Sequence, residues 1–335
     1  MSSATRTLSY RLAINEALHQ AMAADRSVFL LGQGVKSPWY VGNTAKGLLR
    51  RFGMRRVIDS PVSENGVTGA AVGAALTGMR PVVVHPRMDF MLYCFDPIIN
   101  QAANWYYMSG GTTSVPVVFW GIVNRGGEQA AQHSQALHSM FCHVPGLKVV
   151  APSSPADAKG LMLAAIFDDD PVVFMDDRSL YGITEHVPVE SYRTPIGKGA
   201  ILRKGTDVTI LCYSGMVPVA LDAASLAERD GVSCSVVDLR TLKPFDKELT
   251  LSSVAATGRV IACDVGWTSG GWSAEILATI AEAGIPLKRP PRRVALPDAP
   301  AGAARTLEQG YYPTSETVLA AIRTMDPAWS RSRWT

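Results

Sequence analysis

The chain has 335 residues, 47% hydrophobic and 18% charged, which is enough to bury more than one core. A formal net charge of +3 with no long basic run gives nucleic acid no footprint, and no run reaches the ~18 apolar residues that a membrane span requires. Met1 to Arg6 lacks a signal-peptide pattern, and Cys94, Cys142, Cys212, Cys234 and Cys263 stand singly among mostly apolar neighbours, so a soluble, cytoplasmic protein with reduced cysteines is expected.

Leu8 to Ala24 has helical periodicity, and Val28 to Leu31 reads as a short apolar strand. Glycine, proline and serine between Gln33 and Asn43 mark a loop, after which Thr44 to Phe52 returns to helix. A β-type run, Arg56 to Ile58, stops before Pro61, which has no N–H for a ladder, and Ser63 offers a hydroxyl to cap a helix beginning just after it. Glu64 is therefore expected in the first turn of that helix. Gly66, Gly69, Ala70, Gly73, Ala74 and Thr77 recur at three- or four-residue spacing and leave one face of the helix nearly without side chains. Glycine costs a helix about 1 kcal/mol relative to alanine, so such a face calls for a close contact that offsets the cost. Taken alone, the segment reads first as tight helix packing with a solvated Glu64, and second as a carboxylate placed for chemistry.

A strand from Pro81 to Val84, a turn from His85 to Phe90 and a helix from about Asp96 to Met108 come next, closed by Ser109-Gly110-Gly111. Strand Val115 to Trp120 leads into a glycine-bearing loop, Gly121 to Gly127, and Gln132-His133-Ser134 opens another helical stretch. Strand Lys148 to Ala151, helix Pro155 to Phe167 and strand Val172 to Met175 complete a βα alternation, which argues for a largely parallel sheet with helices on both faces. Between Asp177 and Ala200 the periodicity fails and Pro188, Pro195 and Gly197 mark a linker. A second alternation comes after it, with strands Val208 to Cys212, Ser233 to Val237, Val260 to Cys263 and Arg293 to Leu296, and helices Met216 to Arg229, Trp272 to Ala283 and Ser315 to Ile322. The expectation is an α/β protein of two domains, residues 1–185 and 201–335, joined by a linker at 186–200.

Val62-Ser63-Glu64-Asn65-Gly66, Ala71-Val72-Gly73-Ala74-Ala75, Tyr106-Tyr107-Met108-Ser109-Gly110-Gly111, Ala131-Gln132-His133-Ser134-Gln135, Pro145-Gly146-Leu147-Lys148-Val149-Val150 and Asp238-Leu239-Arg240-Thr241-Leu242-Lys243-Pro244 lie in that order. Together they resemble the β subunit of the thiamine diphosphate-dependent decarboxylating component of 2-oxo acid dehydrogenase complexes, of the pyruvate, branched-chain or acetoin type. The similarity runs nearly end to end, and the motifs are specific through their combination. It implies a transketolase-like pyrimidine-binding domain followed by a transketolase C-terminal-like domain.

The resemblance further implies that Glu64 hydrogen-bonds N1′ of the cofactor's aminopyrimidine, so that the 4′-amino group can take the proton from the thiazolium C2. It places Phe90 against the aminopyrimidine and His133 in the active-site channel, where the ordinary readings are a core phenylalanine and a hydrogen-bonded surface histidine. His85, Arg87 and Trp120 are expected in the substrate pocket and His143 in a structural hydrogen bond; His138 stands where relatives usually have a small residue and reads either as a second donor in that pocket or as an exposed side chain. Val117, Ala165, Asp168 and Asp170 match a place where relatives bind a structural monovalent cation, K+, through backbone carbonyls that lack partners; an ordinary hydrated helix end is the alternative.

Thiamine diphosphate enzymes hold Mg2+ and the diphosphate with Gly-Asp-Gly and an Asn about 25 to 30 residues later. This sequence has no such motif; Arg229-Asp230-Gly231 lacks the first glycine. The resemblance assigns that half of the site to an α subunit, in an α₂β₂ assembly, with a lipoyl-bearing acyltransferase as a further partner. Substrate-facing positions depart from the family at Gln33-Gly34, at His85-Pro86-Arg87-Met88-Asp89, at Trp120 and at Ile122-Val123-Asn124-Arg125. A transketolase-like or acyloin-forming subunit is therefore the second reading. A non-catalytic assembly subunit is the third, against which Glu64 and His133 count.

Overall fold

The computed structural model describes residues 6–37, 39–326 and 329. The chain divides into two compact units, Met1–Ile196 and Gly197–Thr335. In chain order the first unit contains β1 (Thr7–Ser9), α1 (Tyr10–Ala24), β2 (Val28–Gly32), α2 (Leu48–Phe52), β3 (Val57–Asp59), α3 (Glu64–Leu76) and β4 (Arg80–His85). A 3-10 turn (Met88–Cys94) and a π-helical stretch (Asp96–Ala102) lead into α4 (Ala103–Met108). Then come β5 (Val118–Val123), α5 (His138–His143), β6 (Lys148–Val150), α6 (Pro155–Ile166), β7 (Val172–Asp177), a 3-10 turn (Arg178–Leu180) and β8 (Thr184–His186).

Within this unit the central strands lie in the order β6-β7-β5-β4-β2-β3, all parallel, and β1 pairs antiparallel with β8. Every residue of β2, β5 and β7 is buried, as expected where helices cover both faces of a parallel sheet. α1 buries Tyr10, Ala13, Ile14, Ala17, Leu18, Ala21 and Met22, an i, i+3, i+4 stripe, and packs on α6. α6 starts at Pro155, where the Ser154 side chain accepts from the Asp157 N–H. Its Lys159 is fully buried, with Nζ 2.7 Å from Glu16 Oε1 and 2.6 Å from the Pro188 carbonyl oxygen. That amine ties the aperiodic stretch beyond β8 onto the first unit.

Several elements differ from the sequence reading, each for a local reason. α2 begins at Leu48 because Gly47 has φ 79°, a left-handed residue that the predicted helix from Thr44 cannot contain. β5 starts two residues beyond Pro116, which cannot donate to the ladder, and runs on through Gly121 to Val123, where the sequence predicts a loop. Residues around His133 form turns, since Glu128 and Ala130 have φ 54° and 60°, and helix resumes only at His138. Ser63 precedes α3 with φ −165° and ψ 60°, outside the extended geometry of a capping residue, and its side chain makes no cap hydrogen bond.

The second unit contains β9 (Ala200–Arg203), β10 (Val208–Cys212), α7 (Met216–Arg229), β11 (Cys234–Asp238), β12 (Thr241–Lys243) and α8 (Lys247–Thr257). It continues with β13 (Val260–Trp267), α9 (Trp272–Glu282), β14 (Arg292–Leu296), α10 (Arg305–Gln309) and α11 (Ser315–Arg323). Its sheet has the order β14-β13-β10-β11-β9, parallel except for β9. α8 is absent from the sequence reading because it buries Thr250, Ser253 and Thr257 beside Val254, so its apolar period is weak. All five cysteines are buried and none forms a disulfide, and no described helix is long and apolar enough to cross a membrane.

Candidate active site

The carboxyl ends of β2, β3 and β4 open side by side, and a pocket lies there whose lining includes Gly32, Ser60, Glu64, Val67, His85 and Phe90. Gly32 has φ 152°, and a Cβ on it would run into the Val84 carbonyl oxygen, so glycine is what lets β2 and β4 end together. Glu64 is the first residue of α3, half-buried, and its carboxylate accepts no hydrogen bond from the described residues. Among the described residues it is the only acidic side chain in the lining, which has no lysine or arginine.

One turn along α3, Thr68 Oγ1 lies 3.5 Å from His85 Nε2, which is 4.0 Å from Cys94 Sγ. Burial pushes the His85 pKa down to about 4 and the Cys94 thiol up to about 11, so both are neutral at physiological pH. The wall beside Glu64 is thus polar but uncharged. Phe90 faces the pocket and meets His133 edge to face, with ring centroids 5.3 Å apart. Its neighbour Asp89 is buried; Oδ1 accepts from the Gln135 N–H at 3.2 Å and from Nε2 at 2.8 Å, while Oδ2 has no partner among the described residues. Burial raises the Asp89 pKa, opposed by these Gln135 hydrogen bonds and by the nearby His133.

The structure therefore gathers Glu64, His85, Phe90 and His133 at one edge of the sheet, with Arg87 next to Pro86 of the lining. It does not bring Trp120 there. Trp120 sits mid-strand in β5, wholly buried, and Nε1 donates to Asp176 Oδ2 at 2.9 Å, so it is a core residue. His138 is fully buried at the start of α5 and does not line the pocket, and His143 is exposed.

Three of the four carbonyls that the resemblance assigns to a monovalent cation have partners. Val117 O accepts from Val172 N at 3.0 Å, Ala165 O from Asp168 N at 3.4 Å and Asp168 O from Arg80 Nη1 at 2.8 Å. Lys148 Nζ stands 2.8 Å from Asp168 Oδ1 and 3.0 Å from Asp170 Oδ2. Sequence reasoning missed Thr68 and Arg178 as parts of the site's surroundings. Thr68 carries a signal, its four-residue spacing from Glu64; Arg178 depends on which strand ends become neighbours.

The pocket fits one end of the implied cofactor. Val67, Val83, Val84 and Phe90 offer an apolar and aromatic wall for a flat heterocycle, and Glu64 an acceptor for a ring N–H. A diphosphate finds no cationic side chain in the lining, and the described residues contain no group of His, Cys, Asp or Glu able to hold a metal ion.

Two family models account for most of the chain: transketolase, pyrimidine binding domain, over residues 6–184, and transketolase, C-terminal domain, over residues 197–318. The fold is that of a transketolase-type protein. The chain is 43% identical over 329 residues to the acetoin:2,6-dichlorophenolindophenol oxidoreductase subunit beta of Cupriavidus necator, covering 95% of this chain and 97% of that one. It is 41% identical over 317 residues to the pyruvate dehydrogenase E1 component subunit beta of Rickettsia conorii, covering 94% and 97%, and 41% identical over 326 residues to the mitochondrial one of Caenorhabditis elegans, covering 96% and 93%. The chain belongs to this family of transketolase-like E1 β subunits. A split-gene transketolase solved as an inactive beta4 tetramer matches with a TM-score of 0.79 over 97% of this chain and 100% of that one, at 23% identity, which bears on the fold alone.

Proposed function

We propose that this chain is the β half of a thiamine diphosphate-dependent enzyme that, with a separate α subunit, decarboxylates a 2-oxo acid and transfers the remaining acyl unit. The observation that carries the proposal is the carboxylate of Glu64, held without a hydrogen-bond partner among the described residues in a pocket that suits the ring of the cofactor and not its diphosphate. When bound, thiamine diphosphate supplies the electron sink for the bond to the departing carboxylate. Glu64 would exchange a proton with N1′ of the aminopyrimidine. Phe90 would form one wall of the ring site, and His133, oriented by that ring, would donate toward the reacting carbonyl. Neutral His85 would keep the neighbouring wall free of a cation that could pair with Glu64.

Mg2+ and the diphosphate would be held mainly by the α subunit, in an α₂β₂ assembly located in the cytoplasm. A structural K+ would use the second lone pairs of Val117 O, Ala165 O and Asp168 O together with Asp170 O. The acceptor would be a lipoyl group on an acyltransferase. The acetoin-linked relative favours a second reading, in which a carbonyl compound takes part in place of the oxo acid or the lipoyl group. The test is calorimetric titration of thiamine diphosphate and Mg2+ into this chain with and without its α subunit, together with CO₂ release from candidate 2-oxo acids. Binding and turnover should require both chains. Tight Mg2+-dependent binding by this chain alone would overturn the split site.

A further inference from the structure

Arg87 follows β4 and Arg178 follows β7, with β5 between them, so their backbones stand two strand spacings apart, about 10 Å. Both side chains lean on the loop after β5. Arg178 Nη1 donates to Asn124 Oδ1 at 3.1 Å, and Arg87 Nη2 to Gln129 Oε1 at 3.0 Å. Their other acceptors are the Pro86 carbonyl, 2.7 Å from Arg87 Nη1, and the Trp39 carbonyl, 3.4 Å from Arg178 Nη2. Every one of these acceptors is neutral, and neither guanidinium makes an ion pair among the described residues.

Arg6, Arg80 and Arg259 each meet a carboxylate, whereas Arg87 and Arg178, like Arg56, bond only neutral groups among the described residues. The acids beside the pair in sequence each have one oxygen engaged: Asp89 Oδ1 accepts from Gln135, Asp176 Oδ2 from Trp120 and Tyr181, and Asp177 Oδ1 from Ser179. Arg87 Nε is buried without a partner among the described residues. Burial, and then the charge of Arg178, lower the Arg87 pKa, opposed by the nearby Tyr40, Asp89 and Tyr181. Arg87 stands next to the pocket described above, because Pro86, whose carbonyl accepts from it, belongs to the lining, and Arg178 stands two strands away from it across β5.

We propose that Arg87 and Arg178 form a subsite for a second anionic group on the substrate, so that the favoured donor is a 2-oxo acid with a carboxylate or phosphonate at its far end. The inference rests on the decarboxylating reading given under Proposed function. Two planar, permanently charged forks suit an oxyanion. The carboxylate that leaves as CO₂ is a poor candidate for them, since holding a charge that vanishes in the transition state stabilises the ground state and raises the barrier. The anion they hold must persist through the reaction.

The experiment uses the reconstituted holoenzyme of this chain and its α subunit and compares kcat/KM for pyruvate, 2-oxoglutarate and 2-oxo-4-phosphonobutanoate by CO₂ release. One of the two dianionic substrates is expected to exceed pyruvate by about tenfold or more, and which of them does so decides between carboxylate and phosphonate. Arg87→Met and Arg178→Met should each lower that ratio by about tenfold, chiefly through KM, and the Lys variants, which keep the charge and lose the fork, should fall between. A wild type that prefers pyruvate, or a ratio unmoved by the substitutions, overturns the subsite. So does an unmoved ratio with weakened association of the α subunit, which would make the pair an inter-subunit contact. Failure of the wild-type holoenzyme to exchange the C2 proton of bound thiamine diphosphate would instead sink the reading of the whole chain.

Discussion

Phe90 and His133 meet edge to face, their ring planes at 84° and their centroids 5.3 Å apart. His133 lies in a turn and has no helix to fix it, so the aromatic edge sets the direction of its imidazole. Such a pair contributes about 0.5–1.5 kcal/mol beyond area burial. Phe90→Leu should therefore lower kcat/KM of the holoenzyme by about tenfold with the circular dichroism spectrum unchanged. Wild-type turnover in that variant would remove Phe90 from the site.

Glu64 stands at the first position of α3 and accepts no hydrogen bond from the described residues, so replacing it disturbs few internal contacts. Glu64→Gln is nearly isosteric but cannot take up a proton. In the holoenzyme, C2 proton exchange of bound thiamine diphosphate should fall by about 100-fold or more, while cofactor affinity changes little. Near-normal exchange, measured by NMR after a deuterium jump, would refute the assigned role.

Helix α3 was legible from the sequence: Pro61 ends the preceding strand, and the apolar and small-residue pattern begins at Glu64. Strand β10 and helix α7 were equally legible, being bounded by polar and glycine residues on either side. The position of Trp120 was not, because Gly121 reads as the start of a loop, and only the pairing of β5 with β4 and β7 carries the strand on to Val123 and leaves Trp120 in its middle. Arg178 and Asn124 were invisible as partners for the same kind of reason. They lie 54 residues apart in sequence and meet through the order of strands in the sheet.

His85 and Asp176 should oppose one another in the pH dependence of stability. Burial pushes His85 from 6.5 down to about 4, so between those values the unfolded chain binds a proton that the folded chain refuses, and stability falls as pH falls through that range. Burial pushes Asp176 from 3.8 up to about 7, so the folded chain keeps a proton that the unfolded one loses, and stability falls as pH rises through nearly the same range. The contributions are at most on the order of 3 kcal/mol for His85 and 4 kcal/mol for Asp176. Urea midpoints of the wild type between pH 4.5 and 6.5 should be nearly flat from these two groups. Those of His85→Gln should decline with rising pH, and those of Asp176→Asn with falling pH. Parallel profiles for all three proteins would contradict the burial of both groups.

The small-residue face of α3 makes the last prediction. Gly66, Gly69 and Gly73 are exposed, and a Cβ on Gly69 or Gly73 would meet nothing within 4 Å. The close contact that offsets these glycines is therefore not supplied by the described residues of this chain. Both residues lie inside the helix without a left-handed backbone, so alanine is conformationally acceptable at each. Gly69→Ala and Gly73→Ala should then stabilise the isolated chain by about 0.5–1 kcal/mol each, raising Tm by roughly 1–3 °C. Gly78 serves as the contrast: its Cβ would also meet open space, but at φ 92° alanine is strained and should destabilise. If a neighbouring subunit's backbone packs on this face, the same methyl groups at 69 and 73 must weaken assembly, seen by sedimentation as a shift of the equilibrium toward separate subunits. Variants that are more stable alone and assemble as tightly as the wild type would show that nothing packs there.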